Sequence, residues 1–581
     1  MLVQSRAPLI EALVMASAAV KAPFFFPGHK MGEGAPLVLR RDLLKGDMSA
    51  LRHDLPELPE LDNLFAPEGA IADAQRLAAE AFGAKRSWFL VNGSTCGVIA
   101  AVLACVQLWI GARIREAACL ARVSEEDCGG GGGGGGASAN VDHRLGVGGV
   151  GGEPRPRVLL PRNVHRSAVH ALVMAGAEPV WVVPEYDEAS GLTLGLSASK
   201  VAQAIKANEG SLAAVMLVSP TYHGVISDVA AIARSCRDAG VPLIVDEAHG
   251  AHLHFLEPSE PPFNGRPALS QGADIVVHSI HKTLGSLTQS AILHASETAL
   301  TRTPQLGSAL SEALGLVQSS SPSYLLLASL DAARWQMAAP EARGRRWLAH
   351  ASRLASSVRN ELRTRPVGGM YPLELVKREG VAAVDPVRLT VMVRGGSAKE
   401  TLLDGFEVDE ALIERGVYAE LPELDSITFA FSAGSRRRHS RRLVNALREI
   451  GGDACMPSEA GDRRRTAAAA AALRLAALTE EPDPDQAPAS SSLSGADLES
   501  GKRACTPREA FFRARKSVSA EAAVGEISAE LVCPYPPGIP LLVPGERIGA
   551  DALAELLALR DAGCTISGAS DADLDTIWVL A

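Results

Sequence analysis

The sequence predicts an α/β protein built on a mostly parallel β-sheet covered by helices, and three observations carry that prediction. Short apolar, β-branched runs recur through the middle of the chain, helix-like stretches lie between several of them, and the runs lack the apolar–polar alternation of a sheet with one wet face. The runs are "RVLLP" (157–161), "PVWVVP" (179–184), "AAVMLVSP" (213–220), "VPLIVDEAHG" (241–250), "DIVVHS" (274–279) and "SAILH" (290–294), each bounded by turn residues. Between them, "RSAVHALVMAGA" (166–177) and "DVAAIARSCRDAG" (228–240) place apolar residues at helical spacing, with Gly240 as a C-terminal stop. Strands apolar throughout are buried on both faces, and in such sheets ligands sit at the carboxyl ends of the strands. Asp246, His249, Ser279 and Lys282 all fall there.

Size and composition bound the rest. A chain of 581 residues with 47% hydrophobic content exceeds one core, so two or three domains are expected. Lys and Arg number 57 against 67 Asp and Glu, a net charge of −10, which excludes a general nucleic-acid binder because phosphate contact needs a basic field. Nine scattered cysteines without a C-x-x-C pair point to a reducing compartment and to neither a disulfide framework nor a zinc ribbon. The most apolar run, "VIAAVLACVQLWIGA" (98–112), falls short of the ~20 residues that span a bilayer, so it reads as a buried helix and no membrane is expected. Glu11 interrupts the apolar N-terminus, which lacks signal-peptide organisation; a cytoplasmic location follows, or a plastid where a transit peptide has been removed.

Two segments read as insertions. Residues 122–156 hold eight consecutive glycines, Gly129 to Gly136, with almost nothing to bury, which predicts a surface loop. A phosphate cradle needs instead a short glycine loop opening a helix. Residues 452–505 combine an alanine run with Pro, Ser and acidic residues and read as a linker, after which a compact unit resumes near residue 506. The basic cluster "SRRRHSRR" (435–442) reads as the solvated face of a helix.

Lys282 concentrates the chemistry. A lysine in a strand-to-helix loop is by default a surface lysine, but here Ser279, His278 and His281 crowd beside it. Asp246 closes an apolar strand, where an ionised carboxylate needs a cationic partner, and a protonated pyridine nitrogen serves. Pyridoxal 5′-phosphate enzymes require this set: a lysine for the Schiff base, a carboxylate for the ring nitrogen, and donors for the phosphate. "FLVNGSTCGVIAAVLA" (89–104) runs from a strand through a turn into a long helix, offering Gly93, Ser94, Thr95 and Cys96 to an anion, although an ordinary capped helix has the same pattern. Ser279 adds a second hydroxyl, His281 lies beside the lysine, and His165 follows a strand where it either stacks on the ring or starts a helix. His249, His252 and His254 lack the convergent pattern of a zinc site, so no metal is expected.

These residues sit in runs that resemble the Orn/Lys/Arg decarboxylase family of fold-type-I pyridoxal phosphate enzymes, in particular its compact members. The runs are "FPGHKMGEG" (26–34), "DLPELPELDNLFAPEGAIADAQRLAAEAFGA" (54–84), "FLVNGST" (89–95), "RNVHRSAVHALVMAGAEPVW" (162–181), "SPTYHGV" (219–225), "VDEAHGAH" (245–252), "SIHKTL" (279–284), "SPSYLLLASLDAAR" (321–334) and "YPPGIPLLVPGE" (535–546). The resemblance implies an N-terminal arm (1–60), an aspartate aminotransferase-like major domain (61–335), a small domain (336–451) and a C-terminal domain (506–581), the latter two smaller and α+β. It implies Lys282 as the Schiff-base lysine, Asp246 on the pyridine nitrogen, His165 stacked on the ring and His249 near its O3′ side. Glu420 and Glu546 would meet the cationic end of the substrate, and Ser321, with Ser323, would be presented to the cofactor across a homodimer interface. The implied reaction is α-decarboxylation of a basic amino acid, arginine to agmatine or else lysine or ornithine, in polyamine biosynthesis. The N-terminal response-regulator-like domain of large members is not expected. The rivals are another fold-type-I reaction, with Arg388 as an aminotransferase's carboxylate-binding arginine, and a non-catalytic pyridoxal phosphate-binding regulator, for which no helix-turn-helix pattern is found.

Overall fold

The computed structural model describes residues 3–127, 155–256, 265–393, 403–452, 505–535, 539–561 and 563–581. Seven apolar strands build the central sheet: β1 (Arg86–Leu90), β2 (Arg157–Pro161), β3 (Glu178–Val182), β4 (Leu212–Val218), β5 (Leu243–Asp246), β6 (Ile275–His278) and β7 (Ala291–Ala295). Their order is β1-β7-β6-β5-β4-β2-β3. Only β7 runs against its neighbours, and every other pairing in the sheet is parallel. The reversal follows from the connection between β6 and β7, which holds one short helical turn, Ile280–Thr283, and no full crossover helix.

Helices α1 (Gly93–Asp127), α2 (Arg166–Ala175), α3 (Ala198–Ala207), α4 (Val229–Asp238) and α5 (Leu306–Val317) cover the sheet, α1, α2 and α5 on one face and α3 and α4 on the other. Successive strand residues serve opposite layers: Val158 and Leu160 pack toward the first group and Leu159 toward the second. This two-sided burial is why the strands show no polar alternation.

Helix α1 is longer than the apolar run 98–112 suggests. Its stretch Gly93–Cys119 is apolar and long enough to cross a bilayer, but just over half of its most apolar 18-residue window is buried, with Val98, Ala101, Val102, Cys105 and Val106 packed against the sheet, α2 and α5. The helix also takes in residues 122–127, which the sequence assigns to the glycine-rich loop. Residues 128–154 of that loop, and almost all of the segment 452–505, lie outside the described residues.

Helices α6 (Tyr324–Ala338) and α7 (Gly344–Thr364) lead into a four-stranded antiparallel sheet of β8 (Tyr371–Pro372), β9 (Arg388–Met392), β10 (Leu421–Pro422) and β11 (Ser426–Ala430), ordered β8-β9-β11-β10. With α8 (Arg437–Gly452), α7 packs on this sheet through Leu354, Val358, Leu389, Val391, Ile427 and Val444. On α8 the arginines 437, 438, 441 and 442 are exposed while Ser440, Leu443 and Val444 are buried. Beyond residue 505 lies a unit with its own core, including Val532, Leu542, Leu553, Ile577 and Val579, beneath two antiparallel strand pairs: β12 (Arg515–Ser519) with β15 (Thr576–Leu580), and β13 (Cys533–Tyr535) with β14 (Thr565–Ser567).

Candidate active site

The carboxyl ends of β5 and β6 bring Asp246 and Lys282 together. Strand β6 ends at His278, and the following turn buries Ile280 and Thr283, which leaves Lys282 facing the cleft. Its amine is open to the cleft yet closely ringed by protein: burial lowers its pKa, Asp246 opposes that, Arg388 lowers it further and Glu420 raises it. Asp246 is 6% exposed; its Oδ1 accepts the Ala248 N–H at 3.1 Å, and Oδ2 has no hydrogen-bond partner among the described residues. Burial pushes this carboxyl up, against the pull of Lys282, the Ala248 N–H and His278. A buried carboxylate with a free oxygen suits a protonated ring nitrogen.

The candidate phosphate site draws on two separate strand ends. Gly93, at φ +75°, turns the chain from β1 into α1, and the Ser279 hydroxyl after β6 donates to Ser94 Oγ at 2.8 Å. Two hydroxyls and the exposed Thr95 thus gather at the N-terminus of a long helix, where free N–H groups and the helix dipole favour an anion. Cys96 turns inward instead: its thiol donates to the Gly93 carbonyl at 3.0 Å, and burial pushes it up to about 12.

His165 takes the helix-start role open to it. It caps α2, its Nδ1 accepting the Ser167 N–H at 3.2 Å, and burial and Lys282 press its pKa down to about 4. A neutral flat ring held this way beside the lysine is suited to stacking. His281 braces the turn, its Nδ1 donating to the Ser290 carbonyl at 2.9 Å. Ser321 is exposed on a loop whose Ser319 N–H donates to Asn92 Oδ1 at 3.1 Å, beside Gly93, whereas Ser323 caps α6 within the chain.

The two acidic candidates part company. Glu420 accepts from the Tyr222 hydroxyl at 2.8 Å, and the Tyr222 ring lies 4.4 Å from that of His249, which meets Lys282 Nζ at 3.0 Å. Glu546 has both oxygens engaged, by Arg162 Nη2 at 3.0 Å and Trp181 Nε1 at 2.7 Å, so it joins the C-terminal unit to the ends of β2 and β3. The three histidines of "DEAHGAHLHF" diverge: His252 pairs with buried Asp385 at 2.9 Å and His254 packs on Phe82, away from His249.

Comparison with known proteins decides the family. The chain matches the profile "Orn/Lys/Arg decarboxylase, major domain" over residues 7–108 and 150–439, and the corresponding "C-terminal domain" profile over 498–568. The chain belongs to the Orn/Lys/Arg decarboxylase family. It is 30% identical over 580 residues to the arginine decarboxylase of Bacillus subtilis, covering 99% of this chain and 98% of that protein. It is 25% identical over 602 residues to lysine decarboxylase LdcA of Pseudomonas aeruginosa, covering 93% and 74%. In fold it is similar to the constitutive lysine decarboxylase of Escherichia coli, with a TM-score of 0.72, 21% identity, and coverage of 100% of this chain and 82% of that one.

Within this family member, the structure adds residues that sequence reasoning passed over. The loop "SPTYHGV" reaches from β4 to the four-stranded sheet, with Tyr222 on Glu420 and His223 Nε2 at 2.5 Å from Glu423 Oε2. The run stands among those that carry the family resemblance, but neither residue was given a role from sequence. Arg388, nominated for an aminotransferase's carboxylate, is 3% exposed and directs Nη2 to His249 Nδ1 at 2.8 Å, which weakens that rival.

Proposed function

We propose that the chain decarboxylates arginine to agmatine, a step toward polyamines, with pyridoxal 5′-phosphate held on Lys282. The carrying observation is the convergence of Lys282, Asp246 and the Ser94–Ser279 pair at one edge of the sheet. Arginine is favoured over lysine and ornithine by the near full-length likeness to the Bacillus subtilis protein. When bound, the cofactor supplies an electron sink for the pair left behind as carbon dioxide departs. The chain supplies everything else. Asp246 would keep a proton on the ring nitrogen, Ser94, Ser279 and the first turn of α1 would hold the phosphate, and the neutral His165 would lie against the ring. Glu420, steadied by Tyr222, would meet the cationic end of the substrate and so help fix its orientation in the site.

Purified protein offered arginine, lysine and ornithine together tests the reading by mass spectrometry. Agmatine as the main product is expected; cadaverine or putrescine in its place overturns the substrate, and a keto acid overturns the reaction. The proposed working unit is a homodimer, with the exposed Ser321 presented to the neighbouring site. Mixed dimers of Lys282→Ala and Ser321→Ala subunits should regain activity that each homodimer lacks. Mixed dimers that form but stay inactive refute the shared site.

A further inference from the structure

The contacts of His249 are chemically selective. Arg388 Nη2 lies 2.8 Å from His249 Nδ1, and a guanidinium only donates, so Nδ1 must present its lone pair. His249 is 7% exposed, and burial, Lys282 and Arg388 together hold its pKa well below the usual value, so the ring is neutral. A neutral imidazole with its lone pair on Nδ1 carries its proton on Nε2. That atom is 3.0 Å from Lys282 Nζ. An N–H donates to the lone pair of a free amine and finds none on an ammonium.

We infer that Arg388 is a positioning residue which, by fixing the tautomer of His249, holds Lys282 as the free amine. The inference rests on the reading of Lys282 as the cofactor's lysine. Only the free amine attacks the cofactor aldehyde: its nitrogen bonds to the aldehyde carbon, and the aldehyde oxygen leaves as water with the two amine hydrogens, giving a C=N bond.

The surroundings are built for this contact. Arg388 leaves β9 of the four-stranded sheet beside Gly224, where a Cβ would stand 2.8 Å from the Arg388 Cβ, and its carbonyl is held by Arg359 Nη2 at 2.6 Å. Its N–H donates to the Asp385 carbonyl at 3.2 Å. Of the other groups near the pair, Asp246 and Glu420 favour the ammonium and His165 disfavours charge on His249, while His252 is paired with Asp385 and Tyr222 packs on the His249 ring. Arg388 and His249 lie on separate stretches of the chain, so this contact forms only where the four-stranded sheet meets the carboxyl end of β5.

Three measurements test the inference. In apoprotein carrying 15N-histidine, long-range 15N–1H spectra, assigned with His249→Gln, should show the Nε2–H tautomer at His249; the Nδ1–H tautomer overturns the proposal without any Arg388 variant. The pH profile for covalent uptake of pyridoxal phosphate by the apoprotein should shift upward by about one unit or more in Arg388→Met, roughly a tenfold change in the free-amine fraction, and return toward the parent in Arg388→Lys. An unmoved profile in a folded variant overturns it, and a raised KM for arginine with an unmoved profile reassigns Arg388 to substrate binding. Lys282→Ala separates the two layers: covalent uptake that persists in this variant refutes the lysine assignment itself.

Discussion

Asp246 has one oxygen fixed by the Ala248 N–H and the other uncommitted, at the end of a strand buried on both faces. Its charge has a use only if a cation meets it there. Replacing Asp246 with Asn keeps the shape and removes the charge. Without that charge a ring nitrogen opposite it loses its proton and the electron sink weakens, so turnover should fall by about a hundredfold or more. The visible absorbance of the lysine-bound cofactor should survive, because Lys282 and the hydroxyls are untouched. Turnover equal to the parent's would remove Asp246 from the mechanism.

Helix α1 carries the phosphate end, and its seating depends on a missing side chain. A Cβ at Gly97 would stand 2.7 Å from Leu90 Cδ1 and 2.9 Å from Val277 Cγ1, on β1 and β6. Gly97→Ala therefore overpacks the helix–sheet contact, at a cost of ~1–3 kcal/mol. It should also lift Ser94 away from Ser279, so a lower melting temperature and a weaker affinity for pyridoxal phosphate are expected together. Gly315→Ala is the control: in α5, with open space around its Cβ position, it should hold or raise stability by up to ~1 kcal/mol. Parent-like cofactor affinity in Gly97→Ala would show that α1 can shift without disturbing the site.

The assembled chain joins its C-terminal unit to the major sheet through Glu546, with Arg162 also lying over the Trp181 ring. Charge-assisted hydrogen bonds contribute ~1.5–3 kcal/mol each, and solvent access to this partly exposed pair places them at the lower end. Glu546→Ala should loosen the unit beyond residue 505, seen as faster hydrogen exchange there, and leave the KM for arginine nearly unchanged. A raised KM with unchanged exchange would instead support the substrate role implied by the family resemblance. Deleting residues 129–152 or, separately, 462–500 should shift the melting temperature little, because loop-closure entropy varies only logarithmically with length and these segments are poor in groups to bury. Loss of cofactor binding in either deletion would expose a function in the segment.

The sequence by itself determined the α/β class, the strands and the strand-end positions of Lys282, Asp246, Ser94 and Ser279, because each is a local property: apolar runs, their bounding turns, and the residue that follows a strand. It also held the family, in ordered runs spread along the chain. Tertiary structure decided the direction of β7 and the pairing of Ser94 with Ser279, 185 positions apart. It decided, too, that Glu420 faces the lysine while Glu546 joins two domains, and that Arg388, 139 positions from His249, touches its ring nitrogen. No local pattern encodes such contacts, since they arise where strand ends and loops from separate stretches converge once the two sheets have formed and packed together.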